Sequence, residues 1–296
     1  SVIIMSATTV PKYRYLSAWF CPFAHRATLA LEHHAGRIDY EWVEALGWEQ
    51  RKDENNVTGT GKEWWYHWKA DELRRSNPSA LVPTLIPVDT TTGESNESKS
   101  VYESAVVIEY IDQVSRMGTP TAPSTAWLLP YDDPFEMARC RIWSDRVNRD
   151  ACSPYYGVLV RKDEEERMEH FQHLIEKGLK PFSNALKETP GATFLANNQV
   201  SIVDYMLLPW AFRFYVFEHY RGSEYVISRD DEELEPYHEW LDFMLSLESV
   251  QKTLPDKDRY LEHIGKYADS SARSKVANAV RRGVAAHELD DEKDEY

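Results

Sequence analysis

The feature that most limits the fold of this chain is a strand pattern that leads directly into a helix pattern near its start. Residues 13–16 form a short aromatic and apolar run. Ala24, Ala27 and Leu31 then recur at the three- and four-residue spacing of one buried helix face. Residues 40–45 predict a second strand. The chain therefore begins with a β-α-β unit.

A second set of patterns follows after a long connection. Residues 84–88 and 99–102 predict two strands, and the polar stretch 90–98 between them is typical of a hairpin connection. Another helix pattern opens at Glu103. The order β-α-β, connection, β-β-α predicts a thioredoxin-like α/β domain.

The connection, residues 46–76, is unusually long, since a handful of residues is usual there. Within it, residues 62–73 are predicted to be helical. The segment carries four tryptophans: Trp48, Trp64, Trp65 and Trp68. They either pack the inserted segment onto its domain, the commoner role of such clusters, or form an extra wall for a bulky aromatic molecule.

Beyond the α/β domain the periodicity is almost purely helical. Asp133 before Pro134 predicts a helix start, and Ser201 with Asp204 predicts a capping box on a later helix. The predicted organisation is an N-terminal extension (1–12), the α/β domain (13–117, with the insertion 46–76), a Pro-containing linker (118–130), an all-α domain (131–265), and a C-terminal helix with an acidic tail (266–296).

Composition narrows the partners and the compartment. The formal net charge of the 296 residues is -15, and without a Lys/Arg-rich segment such a chain repels phosphate backbones, so we expect no nucleic acid. No apolar run approaches the roughly 18 residues that span a bilayer, and residues 1–11 lack a leader pattern, so no membrane segment is expected. Cys21, Cys140 and Cys152 are scattered and show no metal-ligand spacing. We expect a reduced, cytoplasmic, metal-free protein.

Cys21 is the first candidate reactive group. It lies at the strand-to-helix junction beside Pro22, where helix N–H groups and the helix dipole favour a thiolate. No second cysteine follows three residues later, so such a site needs an external thiol to resolve a mixed disulfide. Taken alone, Cys21 is equally well explained as a small buried side chain. Cys140 and Cys152 are expected to be buried thiols.

Two further motifs favour a binding site around Cys21. Val82-Pro83 enters a predicted strand, and a cis peptide bond there would expose the backbone of Val82 to an extended peptide. Glu103-Ser104 opens a helix whose free N–H groups suit a carboxylate, while the Glu103 carboxylate suits an amine. The plainer alternatives are an ordinary turn and simple helix capping. His33 and His34 are predicted to be helix-surface residues rather than metal ligands.

Five motifs occur in a fixed order along the chain. They are Phe20-Cys21-Pro22-Phe23-Ala24-His25-Arg26, Asn77-Pro78 with Leu81-Val82-Pro83, Tyr102-Glu103-Ser104-Ala105, Leu128-Leu129-Pro130-Tyr131-Asp132-Asp133-Pro134, and Ser201-Ile202-Val203-Asp204-Tyr205. Their joint order resembles the glutathione transferase family, most closely its omega class, from about residue 13 to residue 254. The sequence around Cys21 also resembles the xi class, which reduces glutathionyl-hydroquinones.

The resemblance implies a glutathione site, with glutathione as cosubstrate and a homodimer as the assembly. In that site Cys21 faces the glutathione sulfur, Phe23 forms a wall, and Val82 pairs with the cysteinyl backbone. The remaining implied residues are Pro83 beside Val82, Glu103 and Ser104 at the γ-glutamyl end, Lys62 at the glycine carboxylate, and Trp210 in the acceptor pocket.

Three functions follow from these features. The first is thiol transfer by Cys21, whose pKa is expected to be lowered. Its substrates would be disulfides, dehydroascorbate or glutathione conjugates, and its acceptor a small hydrophobic molecule or a disulfide. The second is conjugation by a glutathione thiolate that a hydroxyl stabilises, from Tyr13, Tyr15 or Ser17. The third is a non-enzymatic module that binds a ligand or a partner.

Overall fold

A four-stranded mixed sheet forms the base on which the cysteine is positioned. The structure is a computed structural model and describes residues 10–52, 63–119 and 121–289. The strands are β1 (Lys12–Ser17), β2 (Asp39–Glu44), β3 (Leu46–Arg51), β4 (Trp64–Lys69), β5 (Thr84–Val88) and β6 (Val101–Tyr102). The sheet order is β2-β1-β5-β6, with β1 parallel to β2 and antiparallel to β5. The buried Tyr15 pairs with Trp42 on one side and Leu85 on the other.

The first three helices belong to the α/β part of the chain, and the helices that follow form an all-helical part. The helices are α1 (Pro22–His33), α2 (Asp71–Ser76), α3 (Ser104–Gly118), α4 (Pro134–Val147), α5 (Pro154–Val160), α6 (Glu164–His173), α7 (Lys180–Leu186), α8 (Ile202–Ala211), α9 (Tyr215–Arg221), α10 (Glu235–Ser246), α11 (Glu248–Gln251), α12 (Lys257–Ala268) and α13 (Lys275–Arg281). Helices α1 and α3 pack on each other, and α8 packs on both α1 and α4. The predicted fold, a thioredoxin-like α/β part with an all-α part, is confirmed.

The inserted segment is a β-hairpin, so the predicted helix over residues 62–73 is wrong. Strands β3 and β4 pair antiparallel, with Trp48 opposite His67 and Arg51 opposite Trp64. The aromatic run of β4 favours a strand, because aromatic side chains pack well on a pleated surface. The only helix of the described part of this segment is the short α2, which follows the hairpin.

The hairpin packs against the C-terminal part of the chain. Trp65 N–H donates to the Ser271 carbonyl at 3.0 Å, and Arg273 N–H donates to the Trp65 carbonyl at 2.7 Å. The Lys266 ammonium lies 4.7 Å from the centre of the Trp65 ring. The tryptophan cluster thus packs the insertion onto α12 and the residues after it, and two other hairpin residues, Leu46 and His67, line the cavity described below.

Predicted helix starts agree with the structure. The Asp133 side chain accepts from Phe135 N and Glu136 N at the start of α4. Ser201 and Asp204 form the predicted capping box of α8, and Asp204 is fully buried. The C-terminal helix predicted within residues 266–296 corresponds to α13 (Lys275–Arg281).

The predicted surface position is wrong for His34, whereas His33 is half-buried. His34 is fully buried, and its Nε2 lies 2.8 Å from Asp112 Oδ1. The same carboxylate accepts from Leu128 N and Leu129 N. Because α1 ends against α3 and the linker, its last side chains close a polar contact instead of facing solvent. Cys140 and Cys152 are buried, as predicted.

Some predictions fall outside the described residues. They are Lys62, most of the N-terminal extension (residues 1–9) and the end of the acidic tail (290–296). Within the ranges that the structure describes, no helix is long and apolar enough to cross a membrane. In the same ranges, no group of three or more His, Cys, Asp or Glu side chains could hold a metal ion.

Candidate active site

Cys21 lies at the N-terminus of α1, as its place in the sequence predicts. It is the N-cap residue, with extended backbone geometry, and Pro22 is the first residue of the helix. Cys21 N–H donates to the Ala18 carbonyl at 3.0 Å, and its carbonyl accepts from His25 N at 2.9 Å. The side chain is partly exposed and lines a cavity of about 430 Å³. This placement makes the thiol available to a ligand in the cavity.

The expected lowering of the Cys21 pKa is wrong, because burial dominates. Burial raises the pKa of the Cys21 thiol, and four groups oppose it: the backbone N–H groups of Ala24 and Phe23, and the charges of Arg213 and Arg26. The helix start therefore acts in the predicted direction but does not outweigh desolvation in the free protein.

Two buried guanidiniums lie near the thiol and are held by neutral partners. Arg26 donates to Met206 O at 3.0 Å, to Ser104 Oγ at 3.0 Å and to Asn148 Oδ1 at 2.8 Å. Arg213, fully buried, donates to Pro209 O and, at 3.0 Å, to His25 Nδ1. Burial and the Arg213 charge hold the pKa of His25 well below its usual range, so this partner is neutral.

Replacing Arg213 with Gln is expected to shift the reactivity of Cys21 to higher pH. The thiolate is the reactive form, so alkylation speeds up as pH rises through the pKa of Cys21. Loss of a nearby positive charge raises that pKa further, and the profile moves up by about one pH unit. The measurement is the rate of iodoacetamide alkylation of Cys21, followed by mass spectrometry, from pH 6 to 10.

Cys140 and Cys152 serve as internal references in that experiment. Burial raises the pKa of Cys140 to about 12 and that of Cys152 to about 11, so neither competes at moderate pH. A profile that stays in place, or moves to lower pH, in Arg213→Gln would show that Arg213 does not act on the thiol.

The predicted γ-glutamyl end is in the same cavity. Glu103 is the N-cap of α3 with a φ of 69°, a left-handed conformation that is uncommon for a residue with a side chain. Glu103 and Ser104 both line the cavity, and Ser104 Oγ accepts from Arg26 Nη1. The first N–H groups of α3 have no partner within the helix, so they can donate hydrogen bonds to a ligand carboxylate.

The predicted backbone edge also faces this cavity. The Val82–Pro83 peptide bond is cis, as expected, and both residues line the cavity. Asn77 braces the turn, since its Nδ2 donates to Leu81 O at 2.9 Å and to Thr84 Oγ1 at 3.1 Å. The thiol, the backbone edge and the helix N-terminus are therefore brought together.

Trp210 does not line the cavity, contrary to expectation. Its side chain is fully buried. The edge of its ring meets Phe23 with 4.8 Å between ring centres, and the Arg26 guanidinium lies 4.3 Å from the Trp210 ring centre. Phe23 and Arg26, which do line the cavity, separate Trp210 from it. Trp210 supports the wall from behind.

The hydroxyls considered for a conjugating site lie away from the cavity. Tyr15 OH donates to Ala24 O at 2.6 Å, and Tyr13 OH lies 3.0 Å from Tyr110 OH. Ser17 is fully buried. The cavity lining includes none of Tyr13, Tyr15 and Ser17, so Cys21 is the group of this region that meets a ligand.

The far wall comes from parts of the chain that no sequence pattern indicated. Its aromatic members are Tyr156 from α5 and Tyr260, His263 and Tyr267 from α12, with His67 from the hairpin. Burial raises the pKa of Tyr156 and Tyr260, so their phenols stay protonated at neutral pH. Residues of α13 and the segment after it close the rim. These residues are far apart in the sequence, and only the fold brings them to Cys21.

Comparison with known proteins agrees with this arrangement. Residues 20–114 match the family model of the glutathione S-transferase N-terminal domain, and residues 165–243 match that of the C-terminal domain. The chain belongs to the glutathione transferase family. Glutathione is the substrate of this enzyme family, and Cys21 lies within the part of the chain that matches the N-terminal family model.

Individual relatives come from more than one class. Glutathione transferase GST 23 of Zea mays is 28% identical over 250 residues, covering 84% of this chain and 91% of the relative. Two crystal structures share the fold: glutathione transferase Omega 3C from Trametes versicolor and the Tau class enzyme MiGSTU from mango, Mangifera indica. The first has a TM-score of 0.60 at 22% identity, covering 87% of this chain and 91% of that one. The second has a TM-score of 0.64 at 21% identity, covering 86% and 98%. The relatives establish the family and the fold, and they do not single out the omega class.

Proposed function

We propose that this glutathione transferase is an omega-like thiol transferase in which Cys21 is the nucleophile. The observation that carries the proposal is the position of Cys21: a thiol, rather than a hydroxyl, stands at the N-terminus of α1 and lines the cavity. Glu103, Ser104 and Val82 line the same cavity and would hold glutathione.

Each glutathione group has a partner in this arrangement. The γ-glutamyl carboxylate would bind the N–H groups at the start of α3 and the Ser104 hydroxyl, and its amine would bind Glu103. The cysteinyl backbone would pair with Val82, beside Pro83. Phe23 would wall the site, and Lys62, which lies outside the described residues, stays a proposal for the glycine carboxylate.

The proposed reaction is a double thiol-disulfide exchange. The Cys21 thiolate attacks the glutathionyl sulfur of a mixed disulfide, and the other sulfur leaves as a thiolate that takes a proton from water. A second glutathione thiolate then attacks the glutathionyl sulfur on Cys21. Glutathione disulfide leaves, and the Cys21 thiolate is restored. A single cysteine suffices because the resolving thiol comes from solution.

The test is a substrate comparison with the purified chain. We expect glutathione-dependent reduction of hydroxyethyl disulfide and of S-phenacylglutathione, and an adduct of one glutathione on Cys21 by mass spectrometry. Fast conjugation of 1-chloro-2,4-dinitrobenzene without that adduct would instead support the hydroxyl mechanism. No turnover of any of these substrates would support the non-enzymatic module.

We also propose a homodimer that forms through α3 and α4. These helices carry large exposed apolar side chains, Val106 and Met117 on α3 and Phe135 and Ile142 on α4. An ion pair between Arg141 and Glu109 joins the two helices, so they present one continuous surface. A second copy of this chain is the occupant that the family resemblance implies.

Ile142→Asp is expected to convert the dimer to a monomer. Ile142 is 66% exposed in the single chain, and a carboxylate buried in an apolar interface has no partner to offset its desolvation. Light scattering should give twice the mass of one chain for the wild type and the mass of one chain for the variant. Val226→Asp, at an exposed valine beyond α9, is the matched control. A wild-type mass of one chain would refute the dimer.

A further inference from the structure

Trp48 determines which ring nitrogen of His263 carries the proton. The Trp48 indole Nε1 lies 2.7 Å from His263 Nδ1. An indole N–H can only donate, so Nδ1 accepts, and the proton of the neutral imidazole is on Nε2. The inserted hairpin thus holds a histidine of α12 as a hydrogen-bond donor at Nε2.

His263 stays neutral under ordinary conditions. Burial holds its pKa well below the usual range, and the positive charges of Lys266, Arg213 and Arg259 act in the same direction. The pKa of His67 is itself lowered to about 3, chiefly by burial, so the neighbouring ring is also neutral. The Nε2–H tautomer therefore persists over the pH range in which Cys21 reacts.

The donor stands in the wall of the Cys21 cavity. His263 lines the cavity, and its ring stacks on Phe20, the residue before Cys21, with 4.0 Å between ring centres. In the described part of the chain, the His263 side chain makes its hydrogen bond to protein through Nδ1. The Nε2–H group is left available to a ligand in the cavity that Cys21 also lines.

We propose that His263 Nε2–H donates to the carbonyl oxygen of an α-glutathionyl ketone and stabilises the enolate that forms when Cys21 cleaves its C–S bond. The inference rests on the proposed function of Cys21, and it adds a catalytic residue, His263, for glutathione conjugates that carry a carbonyl one carbon away from the sulfur. The nearby aromatic side chains of Tyr156 and Tyr260 suit the apolar part of such a ketone.

The C–S cleavage places negative charge on the carbonyl oxygen, where a hydrogen-bond donor can stabilise it. The Cys21 thiolate attacks the glutathionyl sulfur and forms an S–S bond, and the C–S bond breaks. Its electron pair moves to the leaving carbon and is delocalised onto the carbonyl oxygen as an enolate. Water then protonates the carbon, giving the ketone, and a second glutathione thiolate releases glutathione disulfide from Cys21. The ketone carbon is reduced, and two glutathione sulfurs are oxidised.

A donor held in a fixed position should accelerate C–S cleavage of the ketone conjugate more than it accelerates disulfide exchange. In the ketone reaction negative charge develops on an oxygen within the cavity, where a preorganised N–H is most effective. In disulfide exchange the charge develops on a leaving sulfur instead. His263 should therefore set the preference between the two substrate classes.

The experiment measures kcat/KM for S-phenacylglutathione and for hydroxyethyl disulfide in the same variants. His263→Phe should lower the ratio of the two values by about a hundredfold, the usual effect of removing one such donor. Trp48→Phe keeps His263 but removes the indole N–H, and it should lower the ratio by a smaller factor. Trp65→Phe is the matched control, because Trp65 is on the same hairpin and does not line the cavity.

A spectroscopic measurement tests the tautomer independently of activity. Nitrogen-15 spectra of histidine-labelled protein should show the Nε2–H form for His263 in the wild type and in Trp65→Phe, and a mixture of tautomers in Trp48→Phe. An unchanged substrate ratio in His263→Phe, with the protein folded by circular dichroism, would overturn the inference. A wild type that turns over neither substrate would refute the function of Cys21 itself, which is a distinguishable result.

Discussion

Replacing Cys21 with serine is expected to lower kcat for glutathione-dependent reduction of hydroxyethyl disulfide at least a thousandfold. The serine hydroxyl is not ionised at neutral pH and cannot form the mixed disulfide. Reduction of S-phenacylglutathione passes through the same mixed disulfide on Cys21, so the loss should apply equally to that substrate. The measurement is kcat for each substrate, with mass spectrometry of the protein after incubation with glutathione disulfide.

Cys152→Ser is the matched control for that variant. Cys152 is buried, and its Sγ donates to Met206 O at 3.5 Å, so it reacts with neither substrate. We expect Cys152→Ser to retain the adduct on Cys21 and most of the activity. A Cys21→Ser protein that reduces hydroxyethyl disulfide at the wild-type rate would refute the cysteine mechanism.

Much of the proposed glutathione end of the site could be predicted from the sequence, because each of its residues lies at a junction between elements. Cys21 precedes a helix, Val82 precedes a strand, and Glu103 precedes another helix. Such junctions have local signals, namely a proline, a polar cap or a change of periodicity. Short-range patterns were therefore enough to identify these positions.

The far wall could not be predicted, because no local signal marks it. Tyr260 and His263 are buried residues of an amphipathic helix, and their spacing is that of any packed helix face. Their role depends on long-range contacts, since α12 packs on α5 and α9 and its His263 stacks on Phe20, just before α1. The raised pKa of Cys21 has the same origin, since these helices bury a thiol that the local helix start alone would favour as a thiolate.

Trp210 and the hairpin are two places where the structure differs from the prediction. Trp210 was expected on the cavity, but Phe23 and Arg26 occupy the space in between. Residues 62–73 were predicted to be helical, but the aromatic run of β4 favours a strand, and its pairing with β3 forms the hairpin.

Asp204→Ala is expected to destabilise the protein by about 3 kcal/mol or more, since it leaves several buried donors without an acceptor. The carboxylate accepts from Ser201 N at 2.7 Å, Phe194 N at 3.1 Å and Trp240 Nε1 at 2.8 Å, and it is fully buried. The midpoint of thermal unfolding should fall by roughly 6–12 °C.

Asp133→Ala is the matched control: it removes an exposed cap of the same residue type, which costs about 1 kcal/mol. If Asp204→Ala does not fold, Asp204→Asn retains one acceptor oxygen and should give an intermediate midpoint. Equal midpoints for Asp204→Ala and Asp133→Ala would show that the buried bonds contribute no more than an ordinary helix cap.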